Sequence, residues 1–126
     1  LMVNEIAPRA HNSGHFSIEA CNSSQFDQQV CILAGLVPPT PQLICPGALM
    51  VNLLGLDDSF RIPLNQRLAE LEEINDSHLH WYGKEKEVLG RKLGHITVLL
   101  KEQDSLSRRQ EASAAIKRIR SIWPAI

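Results

Sequence analysis

Cysteine is scarce and poorly placed for cross-linking. Cys21, Cys31 and Cys45 are the three present, and an odd count without a C-x-x-C pair excludes a disulfide framework and a zinc ribbon. They read as small apolar thiols. An excess of charge of one sign is missing too: the formal net charge is −1, so no basic field favours nucleic acid or acidic lipid. Long apolar runs are absent. The longest, around Leu43 to Leu56, is broken by Pro46, Gly47 and Asn52 and falls short of the roughly 20 residues of a membrane span. The first residues carry neither a basic stretch nor a long apolar one, so they do not read as a signal peptide, and the expected location is the cytoplasm. No glycine-rich phosphate loop, internal repeat or low-complexity tract occurs.

What is present suffices for a core, with 44% apolar residues in a chain of 126. Leu1 is not an initiator, and Leu1 to Ile6 reads as a short apolar strand already under way, the start of a piece of something longer. Residues 7 to 15 hold Pro, Gly, Asn and Ser and form a loop. Ser23 or Ser24 caps a helix in which Phe26, Val30, Leu33 and Ala34 follow at helical spacing up to Gly35. Four prolines between Val37 and Pro46 impose an extended connector. A buried strand is expected over Ala48 to Leu54, and a helix carries Leu64, Leu68, Leu71 and Ile74. Strands over His78 to Tyr82 and Leu93 to Leu100 flank a charged turn. Asp104 or Ser105 opens a last helix, with Leu106, Ala112, Ala115, Ile116 and Ile119 inward, that stops before Pro124. Strands and helices mix without strict alternation, so the expected class is α+β.

Two clusters carry chemistry. Within twelve residues stand Asn4, Glu5, Arg9, His11, Asn12 and His15, on a strand end and a loop, the usual setting of a site on a rigid scaffold. Carboxylate and amide oxygens suit Mg²⁺, which bridges nucleotide phosphates. The planar fork of arginine matches carbonate, carboxylate or phosphate. A solvated loop with its own ion pair has the same composition, so composition does not decide between the two. The second cluster, Lys84, Arg91 and Lys92 beside Gly83 and Gly90, offers a phosphomonoester one planar and two flexible cations. An exposed charged hairpin would look alike. His78 and His80 share a strand face, yet no third metal ligand stands nearby in sequence. Trp81, Tyr82 and His95 read as packing residues, and Lys117, Arg118 and Arg120 as a solvated helix face.

The strings themselves are more specific. Asn-Glu-Ile-Ala-Pro-Arg-Ala-His-Asn-Ser-Gly-His at residues 4–15 closely resembles the signature loop of 5-(carboxyamino)imidazole ribonucleotide synthetases, ATP-grasp ligases of purine biosynthesis. Further segments resemble the family in the same order: Ile18-Glu19-Ala20-Cys21 with Ser24-Gln25-Phe26, Met50 to Gly55, His80 to Glu85, and Gly90-Arg91-Lys92-Leu93-Gly94-His95. The last helix is similar only loosely, and Val88-Leu89 stands where many relatives carry Arg-Pro.

The resemblance implies an α+β fold in which residues 1–40 complete an ATP-grasp core bearing the metal and bicarbonate loop. Residues 41–126 would form a small mixed α/β subdomain, with an antiparallel sheet, that closes on substrate. It implies ATP and Mg²⁺ as cofactors, with Glu5 on the metal and Asn4 and Glu5 toward the nucleotide. Arg9, His11 and Asn12 would hold bicarbonate and the carboxyphosphate made from it; Lys84, Arg91 and Lys92 would hold the 5′-phosphate of aminoimidazole ribonucleotide. A homodimer of the longer parent is implied, with no nucleic acid and no membrane as partner. The formate-dependent glycinamide ribonucleotide transformylase is the nearest alternative; its loop carries Asp where Asn12 stands here. A non-catalytic module that binds a phosphate ligand is the alternative outside enzymes. The family's lid and nucleotide-binding domain have no counterpart in these residues, so the 126-residue chain alone is expected to be inert. ADP release by the purified chain with Mg-ATP and bicarbonate is the check, and any turnover above background contradicts the expectation.

Overall fold

The structure, a computed structural model, describes all residues except Leu1, Asn4, Glu5, Asp58, Ser59 and Glu85. The chain divides into two compact units, residues 1–45 and 46–126. In the first, a 3₁₀ turn over Asn12–Gly14 leads into a short helix, α1, Ser17–Ala20, and then a longer one, α2, Gln25–Leu33. Ser24 is the cap that starts α2. Its hydroxyl accepts from the Asp27 amide while the Asp27 carboxylate accepts from the Ser24 amide, a reciprocal capping box. Those hydrogen bonds, backbone first and side chain second, hold the Asp27 carboxyl below the usual carboxylate range. The proline-rich connector is tied to α1 by the antiparallel bridge Cys21–Leu43 and by the Ile44 amide donating to Ala20 O at 2.9 Å.

One expectation for this unit fails. Met2, Val3 and Ile6 belong to no strand and lie exposed, because a strand needs a partner and no described segment pairs with them. The remaining strand positions, Leu1, Asn4 and Glu5, lie outside the described residues. The helix carrying Phe26, Val30 and Leu33 is present as α2; all three side chains are exposed, and the Phe26 ring stacks on His15 with centroids 5.4 Å apart.

In the second unit, β1 (Gly47–Leu54), β2 (Ser77–Trp81) and β3 (Lys92–Leu100) form an antiparallel sheet in the order β1-β3-β2. The last strand in sequence is central, so it is covered from both sides and buried along most of its length. The register places Val51 opposite Ile96 and Leu49 opposite Val98, with a bulge between Leu53 and Leu54. Helix α3, Leu64–Glu72, and helix α4, Ser105–Ile122, cover this apolar face. Leu53, Leu71, Ile96, Ile119, Ile122 and Trp123 make its core, where truncating a leucine costs about 2–5 kcal/mol. Alternation sends Asn52, His95 and His80 to the other face as one cross-strand row.

Asp104, rather than Ser105, caps α4, accepting from the amides of Leu106 and Ser107, each at 2.9 Å. The inward set is shorter than expected. Leu106 and Ile116 are exposed, whereas Ile119 and Ile122 are buried and Trp123 follows them into the core. No helix among the described residues is long and apolar enough to cross a membrane. The hydrogen bonds from Ser107, then Leu106, lower the Asp104 pKa. A depressed carboxylate adds stability above its unfolded value and loses it as the pH falls through the folded one. Asp104→Asn keeps a capping oxygen but cannot titrate, so its melting temperature should fall less steeply than wild type below about pH 5. Circular dichroism at 222 nm across that range is the measurement, and identical acid limbs would contradict it.

Candidate functional site

The loop that carries Arg9, His11 and Asn12 is ordered by a glutamine. Gln25 opens α2 and reaches back over the turn: its Oε1 accepts from the His11 amide at 2.8 Å and its Nε2 donates to His11 O at 2.8 Å. The same amide nitrogen lies 2.7 Å from His15 Nδ1. The main-chain N–H of Gln25 donates in turn to Ser17 Oγ at 3.0 Å, and Ser17 Oγ donates to Gly14 O. One side chain thereby satisfies both main-chain groups of His11, which an irregular loop leaves without a ladder partner. A Cβ on Gly14 would come within 2.8 Å of Gln25 Oε1, so glycine lets the side chain cross.

His11 caps the 3₁₀ turn. Its Nδ1 accepts from the Ser13 amide at 3.3 Å and lies 2.8 Å from Ser13 Oγ. Asn12 begins the turn and is half-buried. Arg9 is exposed, and among the described residues its hydrogen bond is Nη1 to Ala10 O at 3.2 Å. A groove of about 620 Å³, lined by Pro8, Arg9, Phe16, Ser17, Gln25 and Ile32 among others, runs beside this turn. Cys21 also lines it; burial pushes its thiol up, and the neighbouring Cys45 adds to the shift. Arg9, His11 and Asn12 therefore share one short turn. Asn4 and Glu5, the expected nucleotide and metal residues, lie outside the described residues. No group of three His, Cys, Asp or Glu side chains suited to a metal occurs among the described ones.

In the second unit, Lys84, Arg91 and Lys92 lie at one end of the sheet. The segment between β2 and β3 leaves after Tyr82, whose amide donates to Leu93 O at 2.9 Å, so its two ends adjoin. All three cations are exposed. The return of the loop is clamped to Gly55, which donates to Arg91 O at 2.8 Å and accepts from Gly90 N at 3.0 Å. A Cβ at Gly55 would sit 2.0 Å from Val88 O, so only glycine permits that approach. Tyr82 Oη lies 2.8 Å from Nδ1 of His95, which is buried and stacks on His80 with centroids 4.5 Å apart. Trp81 packs against the core.

Sequence reasoning missed Gln25 and Arg67. Gln25 follows the capping serine, where an amide that can reach back is a usable signal. Arg67 is 2% exposed and its Nη2 meets Glu87 Oε2 at 2.6 Å. It lies three residues after Leu64 and four before Leu71, on the apolar stripe of α3.

Residues 48–109 match the family described as phosphoribosylaminoimidazole carboxylase C-terminal domain, and residues 1–26 match the ATP-grasp domain. Together they define the class, an ATP-grasp protein with the carboxylase-type C-terminal domain. N5-carboxyaminoimidazole ribonucleotide synthase of Synechococcus elongatus is 49% identical over 98% of this chain and 31% of its own length. The crystal structure of N5-carboxyaminoimidazole synthetase from Staphylococcus aureus superposes with a TM-score of 0.69 at 43% identity, over 90% of this chain and 29% of that one. The synthase from Aspergillus clavatus, in complex with ADP and 5-aminoimidazole ribonucleotide, gives 0.70 at 31% identity over 94% and 30%. The chain belongs to the N5-carboxyaminoimidazole ribonucleotide synthase family, and it spans about 31% of the length of that Synechococcus relative.

Removing the Gln25 amide should loosen the Arg9 turn before it unfolds the unit. In Gln25→Ala the main-chain groups of His11 lose their partner, a loss of about 1–3 kcal/mol where they are shielded from water. Trypsin should then cut after Arg9 several-fold faster than in wild type, with other cleavages little changed. Equal rates at that bond would show the glutamine to be dispensable.

Proposed function

We propose that this chain is the C-terminal part of an ATP-dependent ligase that carboxylates aminoimidazole ribonucleotide. The observation that supports it most is the 49% identity to a named synthase across nearly all of the chain. In this reading ATP phosphorylates bicarbonate, giving ADP and carboxyphosphate. The amine of the ribonucleotide then takes the carboxyl group, and inorganic phosphate leaves. The ADP and ribonucleotide held by the Aspergillus relative are in keeping with those substrates.

The chain's contribution is binding and charge. Arg9 contributes a planar cation, and His11 and Asn12 of the same short turn contribute polar ring and amide groups. Those donors suit a small oxyanion, and they strengthen as charge builds on carboxyphosphate, the preorganised electrostatics on which many enzymes rely. The Gln25 clamp fixes that turn in advance, so little reorganisation accompanies the reaction. Lys84, Arg91 and Lys92 take the 5′-phosphate, Arg91 from a backbone pinned on both sides by Gly55 and Val88. Magnesium would draw on Glu5, with its other ligands coming from the remainder of a longer protein; its chemistry is to neutralise the nucleotide phosphates. Residues 1–40 in this reading end the ATP-grasp core, and residues 41–126 close over the ribonucleotide.

A chimera tests this directly: this chain replaces the matching 31% of the Synechococcus relative. ADP formation with Mg-ATP and bicarbonate should require aminoimidazole ribonucleotide. Arg9→Ala should lower kcat by about 10²–10³-fold, the scale of one oxyanion donor. Arg91→Ala should act mainly on the KM for the ribonucleotide. Turnover only with glycinamide ribonucleotide and formate would reassign the chain to the sister transformylase. Full activity without Arg9 would overturn the catalytic reading.

A further inference from the structure

Buried Arg67 and half-buried Glu87 form an ion pair that the proposed chemistry leaves unused. Arg67 is on α3, and Glu87 lies in the segment between β2 and β3 that carries Lys84 before it and Arg91 and Lys92 after it. The guanidinium lies over the Trp123 ring, 4.3 Å from its centroid, and 5.4 Å from that of Phe60. Its Nε donates to Ile62 O at 3.1 Å, and Trp123 is itself fixed by Nε1 donating to Leu54 O at 2.7 Å. Arg67 thus cannot move without disturbing the core, and whatever it grips is held to the core as well.

The pair is poorly suited to stability alone. One contact, Nη2 to Oε2 at 2.6 Å, joins the two side chains. Arg67 Nη1 and Glu87 Oε1 are buried with no hydrogen-bond partner among the described residues. A pair with one partner buried and two polar atoms unsatisfied repays its desolvation badly, and apolar replacements of similar volume are often neutral or better for such pairs. What it provides instead is a fixed point. Tyr82 holds the segment's start, Gly55 and Val88 hold residues 89–91, and Arg67 ties Glu87 to the core.

We infer that Arg67 and Glu87 are positioning residues for the substrate's phosphate. Their ion pair fixes Glu87, and with it the backbone leading to Arg91 and Lys92, so that those two cations present their charges at one place. This rests on the reading of the basic loop as the phosphate site. Neither side chain touches substrate in this scheme; Glu87 acts through the loop and Arg67 through Glu87.

The same chimera separates the possibilities. Glu87→Gln removes the charge at constant shape. The pair Arg67→Met with Glu87→Leu keeps the interior filled and guards against simple unfolding. Both should raise the KM for aminoimidazole ribonucleotide roughly tenfold, as small misplacements in a site do. Both should leave kcat within about threefold and the KM for ATP unchanged, and inorganic phosphate should weaken in parallel as a competitor of the ribonucleotide. Arg91→Ala serves as the reference. If it raises that KM and the Glu87 and Arg67 variants do not, the positioning role is wrong and the phosphate site stands. If the variants lose kcat and melting temperature together at constant KM, the pair is only structural and the inference fails. If Arg91→Ala itself leaves the KM unchanged, the phosphate reading falls and takes this inference with it.

Discussion

The second unit depends on one stack: a guanidinium lying on an indole inside the core. Trp123 has no exposed surface and Arg67 almost none. The indole closes the end of α4, its N–H satisfies the carbonyl of Leu54 at the β1 bulge, and its face receives Arg67 from α3. Three elements distant in sequence therefore meet on one side chain. A buried guanidinium is costly unless attracted from several directions. Here it has a ring below it, a carbonyl at Nε and a carboxylate at Nη2. Cation–π contact grows stronger where water is excluded, so the apolar surroundings that penalise the charge also strengthen its attachment to Trp123.

In the first unit a neutral group plays the corresponding part. The Gln25 amide carries no charge to desolvate, and it supplies donors and an acceptor in one plane. It orders a turn too short and too irregular to order itself. The turn's polar side chains are then left to face outward, while the helix N-terminus that presents Gln25 is stabilised by Ser24 and Asp27. Capping chemistry at one residue and loop geometry at the next are thus the same device.

Much of the fold could be read from pattern. The three strands, α2, α3 and α4 lie close to where alternation, helical spacing and capping residues placed them. Short elements escaped because they have no period: α1 has four residues and depends on contacts of Ser17 with Gly14 and Gln25. The spacing of Phe26, Val30 and Leu33 correctly marked a helix, but periodicity tells which residues share a face and not what covers it. Arg67 was overlooked for the opposite reason. A charged residue on an apolar stripe is ordinarily taken as a flank, and nothing local in sequence shows that an aromatic from the far end of the chain will cover it. The segments resembling a known family directed attention to Arg9, His11, Asn12, Lys84, Arg91 and Lys92. Composition alone could not separate those residues from solvated loops.

Strand order also governs how the second unit comes together. Among the described residues β1 and β2 are not neighbours in the sheet; each is hydrogen-bonded to β3, and Gly47 pairs with Leu100. As the chain leaves the ribosome, both outer strands must wait with unpaired backbones until the central one emerges. Trp123, which seals the core, follows β3 and the whole of α4. Long sequence separation between partners slows folding because chain entropy must be lost before contacts reward it. Folding of this unit therefore waits until α4 has emerged, and loss of the last turn of α4 would strip Ile122 and Trp123 from the core.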